Sequence, residues 1–169
     1  MGNLVLTGFM GSGKTSVSKE LSKLTGMKAV DTDQMVEKKS GKKISRIFAE
    51  KGEEYFRGLE SAAAKKAASM KNVIIATGGG IIKKPENIKA LRKTGTVIFL
   101  KNSFAVSAKR LKNKKDRPLF MQDKIGQARE LYKGRLPLYI KQADIIINTD
   151  RKTIRQAAEE IIRKTAGDK

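Results

Sequence analysis

Gly8-Phe9-Met10-Gly11-Ser12-Gly13-Lys14-Thr15 is the stretch that decides the architecture. The apolar run Leu4-Val5-Leu6 precedes it. A segment with Val17, Leu21 and Leu24 at helical spacing follows, with Gly26 placed to end it. Strand, Gly-rich turn and helix in that order form a phosphate-binding P-loop of the pattern G-x-x-x-x-G-K-[ST]. Gly8, Gly11 and Gly13 let the chain turn so that successive N–H groups converge on phosphate oxygens. The helix adds its positive dipole end, Lys14 a full charge at the β- and γ-phosphates, and the Thr15 hydroxyl a ligand for Mg²⁺. A Gly-rich turn matching by accident is expected in about one per cent of chains of this length, before the flanking strand and helix are required. The chain therefore binds a nucleoside triphosphate.

Composition narrows the chemistry. The 169 residues suit one domain with a real core, and they contain neither Cys nor His. Disulfides, thiolate nucleophiles and imidazole bases are excluded, so acid–base work falls to Asp, Glu or Lys. A metal here is a hard cation held by oxygen, Mg²⁺ before Zn²⁺. The start Met1-Gly2-Asn3 runs straight into the first strand and no apolar run is long enough for a bilayer, so a cytoplasmic protein without membrane contact is expected. With 37 Lys+Arg against 17 Asp+Glu the formal charge is +20. Nucleic-acid binding is one reading, and a surface that draws in small anions is another. The Lys pairs at 38–39, 42–43, 65–66, 83–84 and 114–115 are dispersed and lack interleaved aromatics, which suits solvated faces and counts against nucleic acid.

Apolar runs of strand length at 3–7, 28–31, 73–76, 96–100 and 144–148 alternate with helical patterns, the signature of a parallel α/β sheet. Lys84-Pro85-Glu86 suits a helix start. A last helix is predicted over 151–165, with Ile154, Ala157, Ala158, Ile161 and Ile162 as its inner face. Two stretches exceed a minimal plan: a helical insertion over 32–70 and a Lys-rich segment over 112–124 that reads as a flap. Both suit a kinase that binds a second substrate and then excludes water.

The second predicted strand ends in Asp31-Thr32-Asp33, at the sheet edge where ligands bind. Alternate spacing on an extended segment sends both carboxylates the same way, one to support Mg²⁺ through water and one to orient an attacking hydroxyl. The plainer reading is a helix N-cap. Arg57 and Glu60 lie three apart and pair on a helix surface, or else Glu60 holds Arg57 to grip a carboxylate. Thr77-Gly78-Gly79-Gly80 closes the third strand and lets backbone approach a ligand.

Together these pieces resemble the shikimate kinase family over nearly the whole chain. The matching residues are the P-loop, Asp31-Thr32-Asp33, Gly52-Glu53 with Phe56-Arg57 and Glu60, Gly78-Gly79-Gly80, Arg117-Pro118-Leu119, and Arg135 with Pro137-Leu138-Tyr139. The resemblance implies a P-loop, nucleoside-monophosphate-kinase-like α/β fold with a five-stranded parallel sheet ordered 2-3-1-4-5. One kinase domain would span 1–169, with 32–61 as substrate-binding insertion and 112–124 as lid. It implies ATP- and Mg²⁺-dependent phosphorylation of the shikimate 3-hydroxyl, within aromatic amino-acid biosynthesis, by a monomer. Arg57 and Arg135 would clamp the substrate carboxylate, and Asp33 with the Gly79-Gly80 backbone would hold the ring hydroxyls. Gly11, Ser12, Gly13, Lys14, Thr15 and Ser16 would cradle the nucleotide, with Arg110 near the adenine and Arg117 on the phosphates. Thr15 and Asp31 would serve the metal, and Asp33, Lys14 and Arg117 the chemistry. Ser16 and Ser18 stand where Thr and Gly are usual, and Asn148-Thr149-Asp150-Arg151-Lys152 lacks the family's frequent Pro. Another small-metabolite kinase, for gluconate or a nucleotide, is the nearest rival. A P-loop switch or nucleic-acid-dependent ATPase is the rival from another class.

Overall fold

The computed structural model describes residues 2–112 and 124–167. Strand β1 (Asn3–Thr7) lies at the centre of a five-stranded parallel sheet ordered β2-β3-β1-β4-β5. The others are β2 (Lys28–Asp31), β3 (Val73–Ala76), β4 (Gly95–Lys101) and β5 (Ile145–Asn148). The order is the one the family resemblance implies. Parallel strands need covered faces, and the alternation of side chains along each strand supplies two apolar surfaces. Leu4, Leu6, Ile74, Ile98, Leu100 and Ile147 form one core with helices α1 (Lys14–Thr25) and α7 (Ile154–Ala166). Val5, Ile75, Val97 and Phe99 face the other way, onto α3 (Ile44–Ala68), α4 (Pro85–Arg92) and α6 (Ile125–Gln142).

The insertion consists of α2 (Thr32–Ser40) and α3, with a small core of its own from Val36, Ile47, Phe56 and Ala63. Helix α3 breaks at Gly52, whose φ of 77° and ψ of 175° are non-helical. Helix α5 (Phe104–Leu111) follows β4. Residues 113–123, which hold most of the predicted flap and Arg117, lie outside the described residues.

Several local expectations need correcting. Leu24 and Ile154, assigned to buried helix faces, are 38% and 49% exposed, each just past the stripe that meets the sheet. Helix α7 starts at Ile154 because Thr153 caps it, accepting from Gln156 N while Gln156 Oε1 accepts from Thr153 N. Asp144 stands just outside β5. Its carboxylate accepts from Val97 N at 2.8 Å and Arg92 Nε at 2.9 Å, fixing the entry to the strand.

Candidate active site

The P-loop connects β1 to α1, and its conformation follows from its glycines. Gly13 is the N-cap of α1 with φ 95°, and Gly11 has φ 80°. A Cβ on Gly11 would also lie 3.1 Å from Leu111 Cδ1 and 3.2 Å from Ser107 Cα, so α5 packs directly on the loop. Lys14 Nζ closes the loop on itself, donating to Gly8 O at 2.7 Å and Phe9 O at 3.0 Å. Ser12 is buried, while Thr15 and Ser16 are exposed on the first turn of α1. Arg110 reaches back from α5 and donates to Gly11 O at 3.0 Å, which puts its guanidinium at the rim of the loop.

The acid pair is arranged differently from the expectation. Asp31 ends β2 and is the N-cap of α2, its Oδ1 accepting from Asp33 N at 2.9 Å and Gln34 N at 3.2 Å. Helix begins at Thr32, so the two carboxylates do not share an extended segment. The cap role belongs to Asp31. Asp33 lies in the first helical turn, with its side chain turned to the triple glycine. A Cβ on Gly78 would lie 2.5 Å from Asp33 Oδ1 and 3.0 Å from Glu60 Oε1. Thr32 Oγ1 accepts from Gly78 N at 3.1 Å and ties the start of α2 to this loop.

Arg57, in α3, is buried and held on two sides. Its Nη1 donates to Glu60 Oε2 at 2.6 Å, and its Nε and Nη2 both donate to Glu53 Oε1 at 3.1 Å. Three of its five N–H groups are used, leaving one on each terminal nitrogen. A Cβ on Gly80 would lie 2.4 Å from both Nη1 and Nη2. Equal distances place it in front of the guanidinium fork, so only glycine lets this backbone pack against Arg57. Lys83, from the 3₁₀ turn Ile81–Lys83, also donates to Glu53. The Lys83 bond, and then that from Arg57, hold the Glu53 carboxyl below its ordinary value. Burial pushes the Glu60 carboxyl up, against the pull of Arg57.

Helix α6 closes the other side. It continues through Pro137, so Arg135 and Tyr139 share one face four residues apart. Arg135 Nη1 donates to Gly79 O at 3.3 Å, and the Tyr139 hydroxyl donates to the same oxygen. Gly79 touches the P-loop, since a Cβ there would lie 3.5 Å from Gly8 O and 3.6 Å from Met10 N. Asp33, Arg57, Gly79, Gly80 and Arg135 therefore converge beside the phosphate loop. Sequence reading assigned no role to Lys83 or Tyr139. Tyr139 carried a signal in its four-residue spacing from Arg135, whereas Lys83 carried none.

Two buried polar atoms here lack a hydrogen-bond partner among the described residues: Arg135 Nε, a donor, and Glu60 Oε1, an acceptor. Buried orphans of opposite kind call for a partner group that both accepts and donates. Among the described residues no group of three or more His, Cys, Asp and Glu could hold a metal, and no helix is long and apolar enough to cross a membrane.

Comparison with known proteins gives the family. The sequence pattern of the family described as shikimate kinase matches residues 10–166. A shikimate kinase of Caldanaerobacter subterraneus subsp. tengcongensis is 47% identical over 96% of this chain and 95% of its own. One from Dictyoglomus turgidum is 42% identical over 98% of each. Among solved structures, shikimate kinase from Acinetobacter baumannii in complex with shikimate superposes with a TM-score of 0.93 at 34% identity, covering 100% of this chain and 95% of that one.

Proposed function

The chain belongs to the shikimate kinase family, and from that premise we infer how its own residues carry out the reaction. It transfers the γ-phosphoryl group of ATP to shikimate, at the 3-hydroxyl, giving shikimate 3-phosphate and ADP. The observation that carries the substrate reading is the meeting of Arg57 and Arg135 at the Gly79-Gly80 backbone, with an orphaned donor on Arg135 and an orphaned acceptor on Glu60. A carboxylate between two guanidinium groups gains charge-assisted, partly bidentate bonds. Glu53 and Glu60 fix Arg57 before substrate arrives, so little side-chain entropy is lost on binding. The ring hydroxyls then lie toward Asp33, Glu60 and the glycine backbone.

Transfer is in line. The 3-hydroxyl oxygen bonds to the γ-phosphorus as the bond to the β,γ-bridging oxygen breaks, and ADP leaves. Asp33 accepts the hydroxyl proton. The P-loop N–H groups, the α1 dipole and Lys14 neutralise the spreading negative charge, with Arg117 assigned to the same task. Holding both substrates in place supplies most of the remaining acceleration. The 112–124 segment is assigned to excluding water, since ATP beside open solvent would otherwise be hydrolysed.

The residues present fit Mg²⁺. The exposed Thr15 hydroxyl offers a neutral oxygen, and Asp31 keeps Oδ2 clear of the two bonds its Oδ1 accepts. A cation that retains several waters and takes phosphate oxygens needs no larger protein cage. Bound there, Mg²⁺ supplies charge neutralisation at the β- and γ-phosphates. Asp31→Asn should keep the helix cap, since Asn caps as well as Asp, yet raise the Mg²⁺ concentration needed for half-maximal rate. An unchanged Mg²⁺ dependence would remove Asp31 from the metal shell.

The glycine loop gives a sharper contrast. Gly80→Ala would put its methyl group in front of the Arg57 fork, and Arg57 cannot yield without breaking its bonds to Glu53 and Glu60. KM for shikimate should rise at least about tenfold, the effect of losing one charge-assisted bond, with KM for ATP nearly unchanged. Gly79→Ala meets its nearest atom at 3.5 Å and should be far milder. Equal effects of the two changes in steady-state kinetics would contradict the fork geometry. The reaction itself is tested by ³¹P and ¹³C NMR of the product. A phosphate monoester on C3 is expected, and phosphate on another carbon or free phosphate alone would overturn the assignment.

A further inference from the structure

We propose that Tyr139 is a positioning residue that turns the Gly79–Gly80 peptide so that the Gly80 N–H faces the substrate cleft. The inference rests on the substrate reading above and assigns to Tyr139 the orientation of one substrate-binding donor. Tyr139 is 1% exposed and stacks on Phe99 of β4, with ring centroids 5.0 Å apart and planes at 11°. Its ring has no freedom to swing, so its hydroxyl is a fixed donor. That hydroxyl bonds to the Gly79 carbonyl oxygen, which also accepts from Arg135 Nη1 at 3.3 Å. Both donors come from α6. No cis peptide occurs among the described residues, and in a planar trans peptide C=O and N–H point in opposite directions. Fixing the Gly79 carbonyl toward α6 therefore turns the Gly80 N–H away from that helix.

The arrangement answers a need of this loop. Gly78, Gly79 and Gly80 have no side chains to anchor them, and glycine loses more conformational freedom on ordering than any other residue. Two bonds from a rigid helix hold the peptide whose N–H must be ready for a hydroxyl oxygen. Burial pushes the Tyr139 hydroxyl well above the ordinary tyrosine value. It stays protonated, and so remains a donor, throughout the pH range in which a kinase works.

Tyr139→Phe keeps the ring and its stacking while removing the donor. In ¹⁵N NMR of the ligand-free protein the Gly80 amide should shift, because its own peptide carbonyl has lost a bond. In steady-state assays KM for shikimate should rise roughly threefold to tenfold, the effect of one mispositioned neutral hydrogen bond, with KM for ATP unchanged. A merely structural role would lower the melting temperature and leave both KM values alone. An unshifted Gly80 amide, a shikimate KM within twofold of the parent, or an equal rise in both KM values would overturn the proposal. Failure of the parent enzyme to turn over shikimate would overturn the substrate reading instead, while the ligand-free amide shift would still decide the role of Tyr139.

Discussion

Asp33→Asn is expected to lower turnover on shikimate by about 10²–10⁴-fold, the span of a lost general base, with ATP affinity nearly intact. The amide fits the carboxylate's place beside Gly78 and Glu60 but accepts no proton there. His and Cys are absent from the chain, which leaves few other groups for the task. The helix cap does not confound the test, since Asp31 and not Asp33 fills it. Loss of turnover in Asp33→Asn with retention in Asp31→Asn at high Mg²⁺ would separate proton acceptance from metal support. Near-normal turnover of Asp33→Asn, measured under saturating ATP and shikimate, would remove Asp33 as the base.

Arg57→Ala and Arg135→Ala should each weaken shikimate far more than ATP. Removing one partner of a buried charge pair costs about 2–5 kcal/mol, which corresponds to roughly 30-fold to several thousandfold in affinity. The two losses differ in kind. Arg57 also neutralises Glu60, whose side chain is 1% exposed, so Arg57→Ala leaves a buried carboxyl that will take up a proton. Its melting temperature should fall as well. Arg135 makes no ion pair among the described residues, and its removal should act mainly on substrate. Arg→Lys at either position should restore only part of the affinity, because the planar fork is lost. Titration calorimetry with shikimate and with ATP separates the two ligands. Unchanged shikimate affinity in both alanine variants would refute the clamp.

Much of this architecture is legible in the sequence because the sheet is buried on both faces. Val73-Ile74-Ile75-Ala76 and Leu4-Val5-Leu6 are uninterrupted apolar runs, and each stands within a residue of the strand it forms. The P-loop and the glycine triplet are legible because glycine marks backbone that must come close to something. The sequence does not say to what. Gly80 faces the Arg57 fork and Gly78 faces Asp33 and Glu60, contacts between segments far apart in the sequence. Asp31 and Asp33 looked alike in sequence, and only the helix start at Thr32 makes one a cap and the other a group in the site. Lys83 was invisible for the same reason. One lysine in a lysine-rich chain carries no sign of its partner, and Glu53 is thirty residues away.

Delivery of a carboxylated polyol to the γ-phosphate of ATP shows in the initial rate of ADP release from Mg·ATP, measured with shikimate, with gluconate, with AMP and with no acceptor. ADP release should depend on shikimate, saturate with it, and stay near the acceptor-free rate with the other two. ADP release equal with gluconate or AMP, or indifferent to shikimate, would contradict it.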